Sequence, residues 1–147
     1  MSRVNRKTIR AAIAAGLAVN MPSAAAVYGY QRSKLDGKAA VVRIFDASGE
    51  RPPLSQSGET QSVFGYIIQL WVLTASATGQ SFTEAEAEDK LADMELELIT
   101  WIEANQYPVG QPWRGLEYDR PSFVDTYKAG NELYLVEDIF VSALANE

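Results

Sequence analysis

The stretch from Ser62 to Ala75, SVFGYIIQLWVLTA, limits the possible folds of this chain more than any other segment. Its β-branched and aromatic residues predict a β-strand, and 14 residues in that conformation span about 45 Å. Apolar side chains alternate onto both faces: Phe64, Tyr66, Ile68, Leu70 and Val72 on one, Val63, Ile67, Trp71 and Leu73 on the other. We therefore expect a strand in a sheet that is covered on both faces, by helices on one and by another copy or a partner on the other.

The remaining segments predict a sheet built around this strand. Short strands are expected at 25–31 and 40–45, a strand interrupted at Pro121 over 116–127, and a final strand over 132–144. A helix is expected over Thr83–Asn105, because Thr83 and Glu86 form a capping box before an apolar stripe at helical spacing. With a first helix over Arg3–Val19, the order is αβββαββ. The fold class is then α+β, a single domain (1–147) whose five-stranded, mainly antiparallel sheet carries two helices on one face.

The first 30 residues have two interpretations. A basic start, the apolar segment Ala11–Val19 and the small residues Ser23–Ala25 resemble a secretory signal peptide. However, the basic residues all fall on one arc of a helical wheel, which an amphipathic helix requires and a signal peptide does not. That ordering favours the helix, stopped by Pro22.

The residue types present argue against most catalytic sites. The chain has no cysteine and no histidine, so it lacks the usual nucleophile–base pairs and the commonest metal ligands. It has no glycine-rich phosphate loop, nucleophile elbow or zinc spacing. The carboxylate clusters at Glu84–Asp89 and Glu137–Asp138 lie on single elements, whereas Mg²⁺ or Ca²⁺ needs ligands that converge from several directions. We expect no enzyme activity, no cofactor, no metal and no membrane-spanning segment.

Charge is distributed unevenly along the chain. Residues 1–46 carry eight basic and two acidic residues, whereas residues 84–104 carry eight acidic residues and one lysine. These two surfaces could simply be solvated, or they could meet another copy or a partner. We expect the second outcome, without DNA binding and with weaker association at high salt. The predicted contact residues are Arg3, Arg6, Lys7 and Arg10 on the first helix and Glu86, Asp93, Leu96 and Glu97 on the second.

Two further surfaces are predicted to make contacts. Because both helices cover one face of the sheet, Ile67 and Trp71 on the other face would be left in water, which usually marks an interface. Burial of either residue within one copy would overturn that argument. The polar segment Asp46–Ser62 predicts a long flexible loop, in which Arg51 and Leu54 are the expected docking residues.

The whole layout resembles a family of virion proteins. The basic helix SRVNRKTIRAAIAAGL, the strands AVYGYQ and AVVRIF, the long strand SVFGYIIQLWVLTA, the helix AEDKLADMELELITWIEAN and the closing NELYLVEDIFVSA together are similar to the tail terminator proteins of long-tailed, siphophage-type bacteriophages. The resemblance extends over nearly the whole chain, and no catalytic motif accompanies it.

This resemblance implies a structural protein without enzyme activity. It implies a ring, typically a hexamer, that caps the head-proximal end of the tail tube, stops tube polymerisation and provides the surface for head joining. The implied partners are other copies, the tail tube protein and a head-completion or neck protein, with DNA passing through the pore unbound, in a virion assembled in the host cytoplasm. Three alternatives remain: another neck connector protein, a small α+β enzyme or ligand-binding domain, and a secreted binding protein.

Overall fold

The computed structural model describes residues 4–31, 38–50, 62–75, 82–118, 123–129 and 132–145. These residues form two helices and six strands. In chain order the elements are α1 (Arg6–Asn20), β1 (Ala26–Tyr28), β2 (Ala40–Glu50), β3 (Val63–Ala75), α2 (Glu84–Ala104), β4 (Trp113–Tyr118), β5 (Phe123–Ala129) and β6 (Glu132–Ala145).

The two helices begin where side chains can cap them. The Asn5 side chain accepts a hydrogen bond from the backbone N–H of Lys7 at the start of α1. At the start of α2, Thr83 and Glu86 form the predicted capping box, with each side chain bonded to the backbone of the other residue. Each cap satisfies backbone amides that the first helical turn leaves without partners. The first helix starts three residues later than predicted, and Arg3 lies outside the described residues.

The sheet is mixed, with the strand order β1-β2-β3-β6-β4 and β5 also on β6. The α+β class is confirmed, but the expected five strands are six. The short strand β1 runs parallel to β2, which the prediction of a mainly antiparallel sheet did not anticipate. The predicted long strand, β3, lies between β2 and β6.

The predicted strand over 116–127 is divided into β4 and β5. Both segments pair antiparallel with β6, β4 along its C-terminal part and β5 along its N-terminal part. They therefore occupy the same edge of the sheet, one after the other. Pro121, at which the interruption was predicted, lies outside the described residues.

The described residues at the two ends of the predicted loop Asp46–Ser62 are ordered parts of the sheet region. Asp46–Glu50 belongs to β2 and pairs with β3 after a bulge at Ala47, while the buried Ser62 accepts a hydrogen bond from Ala145. The expectation of a loop is wrong for these residues. Even a polar strand end forms backbone hydrogen bonds when a neighbouring strand offers the partners. Arg51 and Leu54 lie outside the described residues.

Both helices pack on one face of the sheet and form the main core. The apolar side of α1 and the predicted stripe of α2 meet the predicted face of β3 there. Helix α1 lies over β1 and β2, and α2 lies over β3, β4 and β6. The buried helical residues are Ile9, Ile13 and Leu17 on α1 and Ala87, Leu91, Met94, Leu98, Trp101 and Ile102 on α2.

Candidate interaction surfaces

The basic surface of α1 consists of Arg6, Lys7 and Arg10. The Arg10 guanidinium lies 2.8 Å from the Asp46 carboxylate on β2, and Arg6 Nε lies 3.7 Å from the same oxygen. One carboxylate therefore partly neutralises two of the three charges. The Lys7 ammonium makes no hydrogen bond or ion pair with any residue that the structure describes, so it is the member of this surface most available to a partner.

The start of α1 is fixed to the sheet by Tyr66. The phenol of Tyr66 donates a hydrogen bond of 2.7 Å to the backbone carbonyl of Arg6. Burial, reinforced by the negative charge of Asp46, raises the pKa of Tyr66, so the phenol stays protonated and keeps donating. The basic surface is thus held in place above β2 and β3.

Two of the four predicted contact residues on α2 have roles within the chain. Glu86 completes the capping box with Thr83. Glu97 accepts hydrogen bonds from the backbone N–H of Ser23 at 3.1 Å and from its hydroxyl at 2.6 Å, which fastens the turn after α1 to α2. Asp93 is exposed, and Leu96 is 67% exposed. Contact of these four with a partner stays a prediction.

Among the described residues, no ion pair joins the basic surface of α1 to the acidic residues of α2, because the ion pairs of α1 both involve Asp46. The two helices do approach each other at Gly16 and Trp101: a Cβ added at Gly16 would lie 2.2 Å from the indole. Glycine at this position allows the two helices to approach so closely.

The second face of the sheet, which carries no helix, is partly covered by the chain itself. Trp71 is only 5% exposed and lies in a second buried cluster with Val41, Leu73, Tyr134 and Val136. The Tyr127 and Tyr134 rings meet the Trp71 ring edge-on, with centroids 5.2 and 5.3 Å away. The expectation that Trp71 is bare is therefore wrong, and the argument for it as a contact residue fails.

A polar row on this second face also fills space around Trp71. Arg43, Gln69 and Asp138 are register partners on β2, β3 and β6. The Gln69 carbonyl accepts hydrogen bonds from the Arg43 guanidinium and, at 3.1 Å, from the Trp71 indole, and the guanidinium stacks 4.6 Å from the Trp71 ring centroid.

Sequence reasoning missed the polar row, although each strand gives a signal for it. VVRIF, IIQLW and VEDIF each carry a polar residue inside an apolar strand, but only the register shows that the three lie side by side. Burial lowers the pKa of Arg43, while Tyr127 and the carboxylate of Asp138 partly offset that shift. The row belongs to the packing of one copy.

The rest of the second face remains partly open, as predicted for Ile67. Ile67 is half-buried and lies between its register partners Phe45 and Phe140. Val63 and Phe140 are exposed, and Leu144 is half-buried. We call this set the second-face patch: Phe45, Val63, Ile67, Phe140 and Leu144. Its apolar side chains are candidates for contact with a partner.

The connection between α2 and β4 presents an apolar tip that the sequence analysis also missed. Tyr107 is 80% exposed and Val109 is fully exposed, and Gly110 follows with a positive φ of 89°. The base of this loop is fixed, because the Trp113 indole donates to the Asn105 carbonyl at 2.9 Å and Leu116 donates to the Gln106 carbonyl at 3.1 Å. Pro108, Gly110 and Pro112 are typical of a loop, but only the structure shows which side chains it exposes.

Beside this tip lies an open groove between the end of α2 and β4. Glu103, Gln106, Glu117 and Tyr118 line it, and the Tyr118 hydroxyl donates to the Glu103 carboxylate at 3.3 Å. Within the described ranges, no cluster of three acidic, histidine or cysteine side chains is arranged to hold a metal ion. No helix in those ranges is long and apolar enough to span a membrane.

Comparison with known proteins gives a structural relationship and no sequence relationship. No protein-family model matches the chain, and no curated protein sequence matches it. Among solved structures, a chain of the virion of a native gene transfer agent particle aligns with a TM-score of 0.53 at 12% sequence identity. The alignment covers 99% of this chain and 100% of that chain. At this identity the likeness shows a shared fold.

Proposed function

We propose that the chain is a structural virion protein, and specifically a tail terminator. In this role it forms a ring, with the sixfold symmetry that the family resemblance implies, on the head-proximal end of a phage tail tube. The match to one chain of a gene transfer agent virion carries this proposal, since the shared fold extends over nearly all the residues of both aligned chains. The order of elements that resembles tail terminators supports the finer assignment.

The distribution of surfaces supports assembly into a ring. The basic surface and the second-face patch are different from each other and lie on different parts of the molecule. Contacts between unlike surfaces join copies head to tail, and such contacts close into rings when the rotation between copies allows it. The proposed partners are other copies, the tail tube protein and a head-completion or neck protein, while DNA passes through the pore without specific binding.

Arg51 and Leu54 remain proposed docking residues for the tube or the neck. The described residues stop at Glu50 and resume at Ser62, so Arg51 and Leu54 lie outside them. Gly49, at the end of β2, lies beside the Arg6 side chain of the basic surface.

Native mass spectrometry of the purified chain tests the ring. We expect one closed oligomer, with six copies as the expected number, and no continuous series of sizes. A monomer at every concentration would reject the ring. A ring that binds isolated heads but no tail tubes would instead favour another neck connector.

The second-face patch should contribute to this assembly. We expect Ile67→Asp to weaken subunit association about tenfold, because a buried apolar contact worth about 1–2 kcal/mol is replaced by a desolvated charge. Analytical ultracentrifugation measures the association, and circular dichroism checks that the variant is folded. The matched control is Val19→Asp, on an exposed valine of α1. If Ile67→Asp associates as strongly as the wild type, the second-face patch is not part of the interface.

A further inference from the structure

The two flanks of the molecule carry different chemistry. In the sheet order, β2 and β4 are separated by β3 and β6, a distance of about 14 Å at the usual strand spacing. Helix α1 covers the β1–β2 flank, and the end of α2 covers the β4 flank. Among the described residues, Lys7 on the first flank forms no ion pair with the carboxylates beside β4, because the ion pairs of α1 both involve Asp46.

On the first flank, α1 has an exposed side that points away from the rest of the molecule and carries small side chains. Gly16 faces Trp101 of α2, and nine positions at about 100° per residue place Lys7 on the opposite side of the helix. Ala11 and Ala18 follow Lys7 on this outward side, and both are exposed. The outward face is thus an exposed lysine followed by small side chains. We call it the outer α1 face: Lys7, Ala11 and Ala18.

On the opposite flank, the groove beside β4 has complementary charge. Glu103 and Glu117 supply two carboxylates, and neither forms an ion pair with a residue that the structure describes. Glu103 receives only the hydroxyl of Tyr118. Next to them, Tyr107 and Val109 project from a loop whose base is fixed by Trp113 and Leu116. From here on, the name β4 flank means the surface formed by these two carboxylates and the projecting apolar tip: Glu103, Tyr107, Val109 and Glu117.

We propose that the outer α1 face of one copy docks on the β4 flank of the next. Lys7 enters the groove between Glu103 and Glu117, and Tyr107 and Val109 pack on the alanines of α1, whose small side chains let a bulky tip approach. The occupant is a second copy because one chain carries both complementary surfaces on opposite flanks. The contact is head to tail and rests on the proposed ring, for which it supplies the subunit interface.

Charge reversal tests this contact. Lys7→Glu places three carboxylates together, and Glu117→Lys places Lys7 against a lysine, so we expect each variant to weaken subunit association about tenfold at low salt. The double variant Lys7→Glu/Glu117→Lys should recover association. An equal mixture of the two single variants should also assemble, because each then finds its complement only in the other. Glu88→Lys, an equal charge change on an exposed residue of α2, is the control and should associate as the wild type does.

Cysteine pairing gives a second readout that does not depend on charge. The chain has no natural cysteine, so Ala11→Cys/Tyr107→Cys should form a ladder of covalently linked copies under mild oxidation, whereas Thr126→Cys/Tyr107→Cys should not. Single charge variants that associate like the wild type, a double variant no better than the singles, or the absence of the ladder from assembled protein would each overturn the contact. If the wild type itself never assembles, the proposed ring fails as well, and the two failures are thereby distinguished.

Discussion

Replacing Trp113 by alanine should lower the free energy of unfolding by about 3–5 kcal/mol, the usual range for removing a buried tryptophan. Trp113 is fully buried at the start of β4. Its ring meets that of Trp101 at a centroid distance of 6.1 Å, and its indole N–H is bonded to Asn105. The substitution removes this packing and leaves the Asn105 carbonyl without its donor.

Urea unfolding followed by circular dichroism measures this loss. Trp113→Phe is the matched comparison, because it keeps an aromatic ring but not the N–H, and it should lose less than the alanine variant. The alanine variant should also release the tip that carries Tyr107 and Val109, so it should associate more weakly under conditions where it is still folded. A loss below about 1 kcal/mol would show that Trp113 does not hold the end of α2 to β4.

Replacing Gly16 by valine should destabilise the protein by about 1–3 kcal/mol, the range for overpacking a filled core. Even the first added carbon would lie 2.2 Å from the Trp101 ring. That ring is itself held against Trp113, so it has little room to move. The two helices must separate, and the turn bonded to Glu97 through Ser23 must shift with them.

The control for Gly16→Val is Ala15→Val, one position earlier on the exposed side of α1. At that position valine lowers the free energy of unfolding only through its lower helix propensity, by less than about 0.7 kcal/mol. Thermal unfolding of both variants separates the two effects. If the two lose equal stability, the close approach of α1 and α2 at Gly16 has no energetic importance.

Local sequence patterns were sufficient for the helices and for the long strand. The stripe from Ala87 to Ile102 and the capping box at Thr83 depend on residues within one or two turns of each other. The alternation in β3 identified the side chains that meet the helices. These signals are short-range, so one sequence contains them in full.

The errors concern contacts between residues distant in the chain. That β1 is parallel to β2, and that β4 and β5 share one edge of β6, depends on pairing register, which the local pattern does not contain. Trp71 looked bare because its strand is apolar on both faces. The Arg43 guanidinium and the Tyr127 and Tyr134 rings that cover it come from three other strands.

The same difference between local patterns and long-range contacts applies to the candidate surfaces. Charge counts pointed to α1 and α2 as interaction elements, but they could not show that Asp46 partly neutralises Arg6 and Arg10 or that Ser23 binds Glu97. The β4 flank escaped notice because its carboxylates, Glu103 and Glu117, are 14 positions apart in the chain. Only the pairing of β4 beside α2 brings them into one groove.

Electron microscopy of tail tubes growing in the presence of the purified chain tests the central claim most directly. We expect the tubes to stop at a shorter length and one end of each to carry a ring of density that the free tubes lack. Tubes that grow to the same length with bare ends, while the chain forms rings in solution, would contradict the assignment as a tail terminator.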